Sequence, residues 1–188
     1  MIARFSDGSS AEGSVIVGCD SAHSIVREHL VGKEAAQLED FDLYMLNVTC
    51  SFPRETALLQ RKDHPIFKNS FAKVDGISFS WWQSIQDVRN PDRPETWLFQ
   101  NVLSWIGHPR PEDLPTRESR LEFWRERAKS FADPWKSAGR DFPDDLPIVV
   151  GRVTGWTPYD WSQSKLGGQV TLAGDAAHAL PPFLGQGM

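Results

Sequence analysis

Within residues 170–188, VTLAGDAAHALPPFLGQGM, groups with chemical uses follow one another closely: the carboxylate of Asp175, the imidazole of His178, the rigid pair Pro181-Pro182 and the bare backbone of Gly185-Gln186-Gly187. The apolar run at 170–173 reads as a buried strand that Gly174 and Asp175 end. A carboxylate at the carboxyl end of a strand stands where open α/β sheets take their ligands. An ionised carboxylate only accepts hydrogen bonds, so a hydroxyl-rich group such as a ribose or ribityl chain is its natural partner. Gly185 and Gly187 lack a Cβ, which lets their backbone approach a flat or anionic ligand. A helix beginning at Gly187 would also favour negative charge through its free N–H groups. Gly-Asp alone reads as an N-cap before a loop, but the run as a whole reads as a ligand segment.

A second such stretch is VIVGCDSAHSIVREHLVG, residues 15–32. Val15, Ile16 and Val17 form a short apolar run, as in a strand buried on both faces. A tight turn at residues 18–24 follows, and then a helix for which Ser24 suits the N-cap and Gly32 the end. Singly, Arg27 reads as a surface ion-pairing residue and His23 as a satisfied turn residue. With correct spacing from the later run, they read as a set.

Residues 170–188 resemble the GD motif of the class A FAD-dependent monooxygenases, the para-hydroxybenzoate hydroxylase-like flavoproteins. Residues 15–32 resemble the DG motif of the same family, with Asp20, Ala22, His23, Ser24, Val26 and Arg27 in place and Ser21 where the family has Gly. The resemblance implies that Asp175 holds the ribityl part of FAD. It also implies that Pro181, Pro182, Gly185, Gln186 and Gly187 pass the isoalloxazine ring. Asp20, Ser24 and Arg27 would lie near the FAD pyrophosphate, in a motif linked to NAD(P)H use. The implied activity is hydroxylation of a small organic, often aromatic, substrate: NAD(P)H reduces the flavin, O₂ adds to it, and the flavin hydroperoxide delivers oxygen. The cofactor carries that chemistry and the protein positions it. No catalytic acid or base is assigned, and His64, His108 and Tyr44 read as structural.

The rest of the chain must position these motifs. Asp7-Gly8 is a hairpin signal. Residues 33–40 are a polar linker, and residues 41–49 alternate as a strand. Residues 54–61 suit a helix, whereas residues 62–75 carry no clear pattern. In residues 76–85, Ile77, Phe79, Trp81 and Ile85 fall on one face and Ser78, Ser80, Trp82 and Ser84 on the other. Residues 96–106 read as a second strand, antiparallel to the first. Thr116 caps a helix to about residue 131 with Leu121, Trp124, Ala128 and Phe131 at helical spacing. Asp133-Pro134 opens a further short turn that Gly139 ends, and residues 148–153 form a strand.

The expected fold is α/β with an α+β insert. A partial FAD-binding, Rossmann-like domain with the DG-like motif (1–40) is interrupted by a mostly antiparallel substrate-domain sheet with helices (41–153). The chain then returns to the FAD-binding domain with the GD motif (154–188). The two motif strands are expected to pair in parallel. The GxGxxG unit that binds the ADP half of FAD in this family is not found, nor is the helix after GQG, so the chain reads as an internal fragment that would bind FAD poorly. The competing readings are a non-catalytic fragment that binds no FAD and a non-redox binder of apolar ligands. A nucleophilic hydrolase at Cys19 or Ser21 is weaker for want of a GxSxG elbow.

Composition bounds the rest. A net charge of −5 and a pI near 5.5 argue against a nucleic-acid surface. No stretch reads as a transmembrane segment or signal peptide, which points to an intracellular, cytoplasmic chain. Cys19 and Cys50 read as buried apolar residues, too few for a metal site. The eight Trp, concentrated between residues 81 and 161, suit either core filling or walls for a flat apolar substrate.

Overall fold

The short apolar runs and capped turns of the sequence become strands and helices in chain order. The computed structural model describes residues 1–158 and 160–181. They form β1 (Ile2–Arg4), β2 (Ser10–Glu12), β3 (Ile16–Gly18), α1 (Ile25–Val31), β4 (Glu39–Cys50), α2 (Arg54–Arg61) and β5 (Phe67–Val74), followed by β6 (Ile77–Asp87), β7 (Leu98–Ile106), α3 (Arg117–Ala128), α4 (Trp135–Arg140), β8 (Val149–Gly155) and β9 (Val170–Leu172). Two compact units result: residues 1–41 with 153–188, and residues 42–152.

In the first unit, Asp7-Gly8 turns a hairpin in which β1 and β2 pair antiparallel. The strands β3 and β9 pair in parallel, Ile16 opposite Val170 and Gly18 opposite Leu172, as their apolar runs predict. The N-cap of α1 is Ser24, whose hydroxyl accepts from the Arg27 N–H, and Gly32 ends the helix at φ 89°. Leu30, Trp156, Val170, Leu172 and Ala176 are buried together. After β9 the chain makes a single 3-10 turn, Gly174–Ala176. Cys19 is exposed, contrary to the expectation of burial. It sits in the turn after β3, exposed among the described residues.

The second unit holds a five-stranded sheet in the order β5-β6-β7-β4-β8. The three central strands are antiparallel neighbours, with Trp81 opposite Leu103 and Leu46 opposite Leu103. Ile77, Phe79 and Trp81 share one face, as the alternation predicts, and that face packs against α3, α4 and the segment after them. Trp81 meets Trp124, Phe131 and Trp135 at centroid distances of 5.3, 5.5 and 5.6 Å. Tryptophan therefore fills this core: Trp81, Trp105 and Trp124 are fully buried. Cys50 is buried too, and desolvation pushes its thiol up to about 12.

One stretch without a pattern is resolved and one local expectation is corrected. Residues 62–75 contain β5, whose outward positions carry Phe67 and Phe71 and whose inward ones mix Lys68 and Ser70 with Ala72 and Val74. With apolar residues facing out, this edge strand shows no usable periodicity. Gly139 lies inside α4 rather than ending it. A Cβ there would stand 2.2 Å from the Ala128 Cβ, so it is the close approach of α3 and α4 that requires glycine.

Candidate functional site

The first unit brings the two motif stretches together. Because β3 and β9 are parallel, Gly18 and Leu172 stand side by side at their carboxyl ends, and the Ala173 N–H donates to the Gly18 carbonyl at 2.9 Å. The DG-like turn therefore lies beside the Gly174-Asp175 turn.

The DG-like turn is built by its own side chains. Asp20 accepts from the Ser24 hydroxyl and, at 3.1 Å, from the Val26 N–H. Burial raises the Asp20 carboxyl, but these hydrogen bonds outweigh it and hold the group below its ordinary value. Ser21 takes φ 71°, the left-handed conformation that glycine would adopt without strain. Asp20 and Ser24 thus shape the turn and cap α1.

Arg27 does not ion-pair at the surface. It is 1% exposed, and its guanidinium faces main-chain carbonyls from three segments. Nε donates to Ala36 O at 3.2 Å, Nη1 to Ala176 O at 3.0 Å and more distantly to Asp175 O at 3.5 Å, and Nη2 to Ala22 O. It also lies 4.7 Å from the centre of the Trp156 ring. Trp156 is held in turn: its indole N–H donates to Ala35 O at 2.7 Å and its ring stacks on Trp161. A buried guanidinium spans the DG-like turn, the segment after α1 and the GD turn, and fixes the backbone of Asp175 from behind. No motif marks Trp156 in the sequence, so its part in this arrangement was not foreseen.

The side chain of Asp175 remains available. The residue is exposed, and its carboxylate has no hydrogen bond or ion pair among the described residues. The 3-10 turn is capped at Ala173 without a side-chain bond, so Asp175 is no N-cap. Gly174 takes φ 59°, and its carbonyl accepts from the Ala177 and His178 N–H groups at 2.9 and 2.8 Å. His178 is exposed and Pro181 half-buried. Pro182, Gly185, Gln186 and Gly187 lie outside the described residues. An exposed carboxylate on a braced turn fits the hydroxyls of a sugar-like chain.

The comparisons with known proteins agree in direction. FAD-dependent monooxygenase phnB of Penicillium herquei is 31% identical over 191 residues, a match covering 100% of this chain and 45% of the relative. Over its whole length the chain is thus similar to part of an FAD-dependent monooxygenase. FAD-dependent monooxygenase dbaB of Emericella nidulans is 29% identical over 188 residues, covering 97% of this chain and 47% of that one. The chain spans about half the length of the curated relatives it matches. The solved structure of 2,6-dihydroxypyridine-3-hydroxylase from Arthrobacter nicotinovorans shares the mixed helix-and-sheet fold at a TM-score of 0.67, with 20% identity over 96% of this chain and 47% of that chain. No protein-family model matches the chain.

Proposed function

We propose that this chain forms part of an FAD-dependent, NAD(P)H-using monooxygenase that hydroxylates a small organic, aromatic substrate. The observation that carries the reading is the Asp175 carboxylate, exposed and without a partner among the described residues, on a turn that Arg27 holds by its carbonyls. In this reading Asp175 accepts hydrogen bonds from the ribityl hydroxyls, and Pro181 with Pro182 and the 185–187 segment passes the flavin ring. Asp20, Ser24 and Arg27 hold the turn nearest the pyrophosphate. Bound FAD would take a hydride from NAD(P)H and activate O₂, so that one oxygen atom enters the substrate as a hydroxyl and the other leaves as water. The first unit would then be part of a Rossmann-like FAD-binding domain. In support, Val15 just before β3 and Val17 within it, each 53% exposed, leave apolar surface on one face of the parallel pair, the kind of face that helices cover in a parallel sheet. The second unit, residues 42–152, would be the substrate domain.

The test is FAD affinity, followed by quenching of flavin fluorescence. The chain by itself should bind weakly, with a dissociation constant above roughly 1 µM, because the contacts of half a site must meet the whole ordering cost. Asp175→Ala should weaken binding about tenfold and His178→Ala less, since a hydrogen bond to a charged acceptor contributes about 1.5–3 kcal/mol. The melting temperature of Asp175→Ala should be unchanged. A variant that binds FAD like the parent, or that only melts earlier, would remove the assignment.

A further inference from the structure

On the reading of residues 42–152 as the substrate domain, we infer that the open face of its sheet receives an uncharged, hydroxyl-bearing aromatic rather than a carboxylate. The inward positions of β4, β6 and β7 are committed to the core. The outward positions form a grid set by the strand registers. Asn47 and Trp82 both stand opposite Val102, and Met45 and Ser80 both stand opposite Ser104. Ser104 is buried and the other five are half-buried. Along the outward rows of residues 43–49, 78–84 and 100–106 no side chain ionises, in a chain of which 24% is charged. Among the described residues of the printed registers, the cation on this face is Lys73, at its rim on the edge strand β5, opposite Ser78. Arg152 of β8 points the other way, over the Tyr44 ring at 5.4 Å and paired with Glu112.

What the face offers is therefore a Trp82 ring edged by apolar side chains and by neutral hydrogen-bonding groups. Asn47 Oδ1 accepts from Gln100 Nε2 at 3.3 Å, which leaves the Asn47 amide N–H groups without an acceptor among the described residues. The Ser80 hydroxyl donates to Asn69 Oδ1 at 3.0 Å and keeps its own lone pairs. An aromatic ring with phenolic or keto oxygens matches this inventory: the ring packs on Trp82 and the oxygens meet an amide donor and hydroxyl acceptors. Away from Lys73 at the rim, a carboxylate would lose water here with no cation among the described residues of the sheet face to meet it.

The experiment compares two rings of one shape by titration calorimetry on the chain: 2,6-dihydroxynaphthalene, and 6-hydroxy-2-naphthoate, in which a carboxylate replaces one hydroxyl. The neutral probe should bind about tenfold more tightly or better. Val102→Arg places a cation at the centre of the grid and should abolish or reverse that preference, with circular dichroism and melting temperature confirming the fold. Met45→Lys is the second variant and should act in the same direction. Tighter or equal binding of the naphthoate to the parent chain, binding of neither probe, or a preference unchanged in both folded variants would overturn the inference. FAD titration of Asp175→Ala involves neither naphthalene, so failure of the cofactor reading and failure of this one register separately.

Discussion

Ser21 holds φ 71° in the turn after β3, although it carries a Cβ. For an L-residue that conformation costs about 1–2 kcal/mol, part of which glycine returns through its larger unfolded-state entropy. Ser21→Gly should therefore stabilise the chain by about 0.5–1 kcal/mol and raise the melting temperature by a few degrees, which a thermal scan checks. A drop in melting temperature would show that the serine side chain contributes something to offset its strain. Arg27 makes the opposite case. Its guanidinium is the partner of four main-chain carbonyls, and Arg27→Met would leave them facing an apolar chain. Each unsatisfied buried acceptor costs about 1–3 kcal/mol, so a loss of about 3 kcal/mol or more is expected in denaturant titration. Faster amide exchange at Ala177 and His178, whose N–H groups close the GD turn, should accompany it.

Elements succeed or fail on how closely they pack. The capping box of α3, in which Thr116 and Ser119 exchange hydrogen bonds, marks its start. Its buried residues Leu121, Trp124 and Ala128 then set the face it presents to α4 and the sheet. At the crossing, the Ala128 Cβ occupies the place where a Gly139 side chain would be. Gly139→Ala would improve helix propensity by about 1 kcal/mol on an exposed helix. Here the added methyl must push two packed helices apart, which costs about 1–3 kcal/mol or more. Urea denaturation should show a net loss of stability, and a gain would mean that the crossing is looser than 2.2 Å implies.

At the scale of the whole molecule, stability at alkaline pH is tied to Lys68. Its ammonium donates to Gln60 O at 2.6 Å and Gln60 Oε1 at 3.1 Å and lies 5.1 Å from the Trp135 ring centre, with no carboxylate paired to it among the described residues. Burial pushes its pKa down to about 8, against a small opposing effect from Asp63. A lysine in the unfolded chain titrates near 10.4. Between about pH 8 and about pH 10.4 the unfolded state thus binds more protons, and stability rises with pH through that window. Below pH 8 the cost of the buried ammonium is fully present. The stability of the parent chain minus that of Lys68→Met should therefore rise from pH 8 to pH 10.4, measured by urea titration at each pH. A difference that stays flat would place Lys68 in solvent. Cys50 and Tyr44, both shifted upward, titrate in both proteins and cancel in the difference.

Information that spans a few residues was readable from the chain alone. Ser24 and Thr116 cap helices because a hydroxyl reaches an N–H three residues on. Residues 77–85 of the expected 76–85 lie in β6 with the stated faces because successive side chains alternate. The parallel pairing of β3 and β9 followed from two apolar runs ending in glycine or beside it, with an insert between them. The GD and DG motifs were recognised by residue type and spacing. What only the tertiary structure decided involves partners far apart in sequence. Arg27 looked like a surface ion pair because its acceptors are carbonyls, which every residue has, and one of them lies 149 residues away. Which tryptophans fill the core was not readable either: α3 and α4 cover Trp81 and Trp105, while Trp82 stands on the other face of β6. An edge strand with Phe67 and Phe71 turned outward has no binary pattern to read, because its pairing energy comes from main-chain hydrogen bonds to β6 that side-chain identity does not encode.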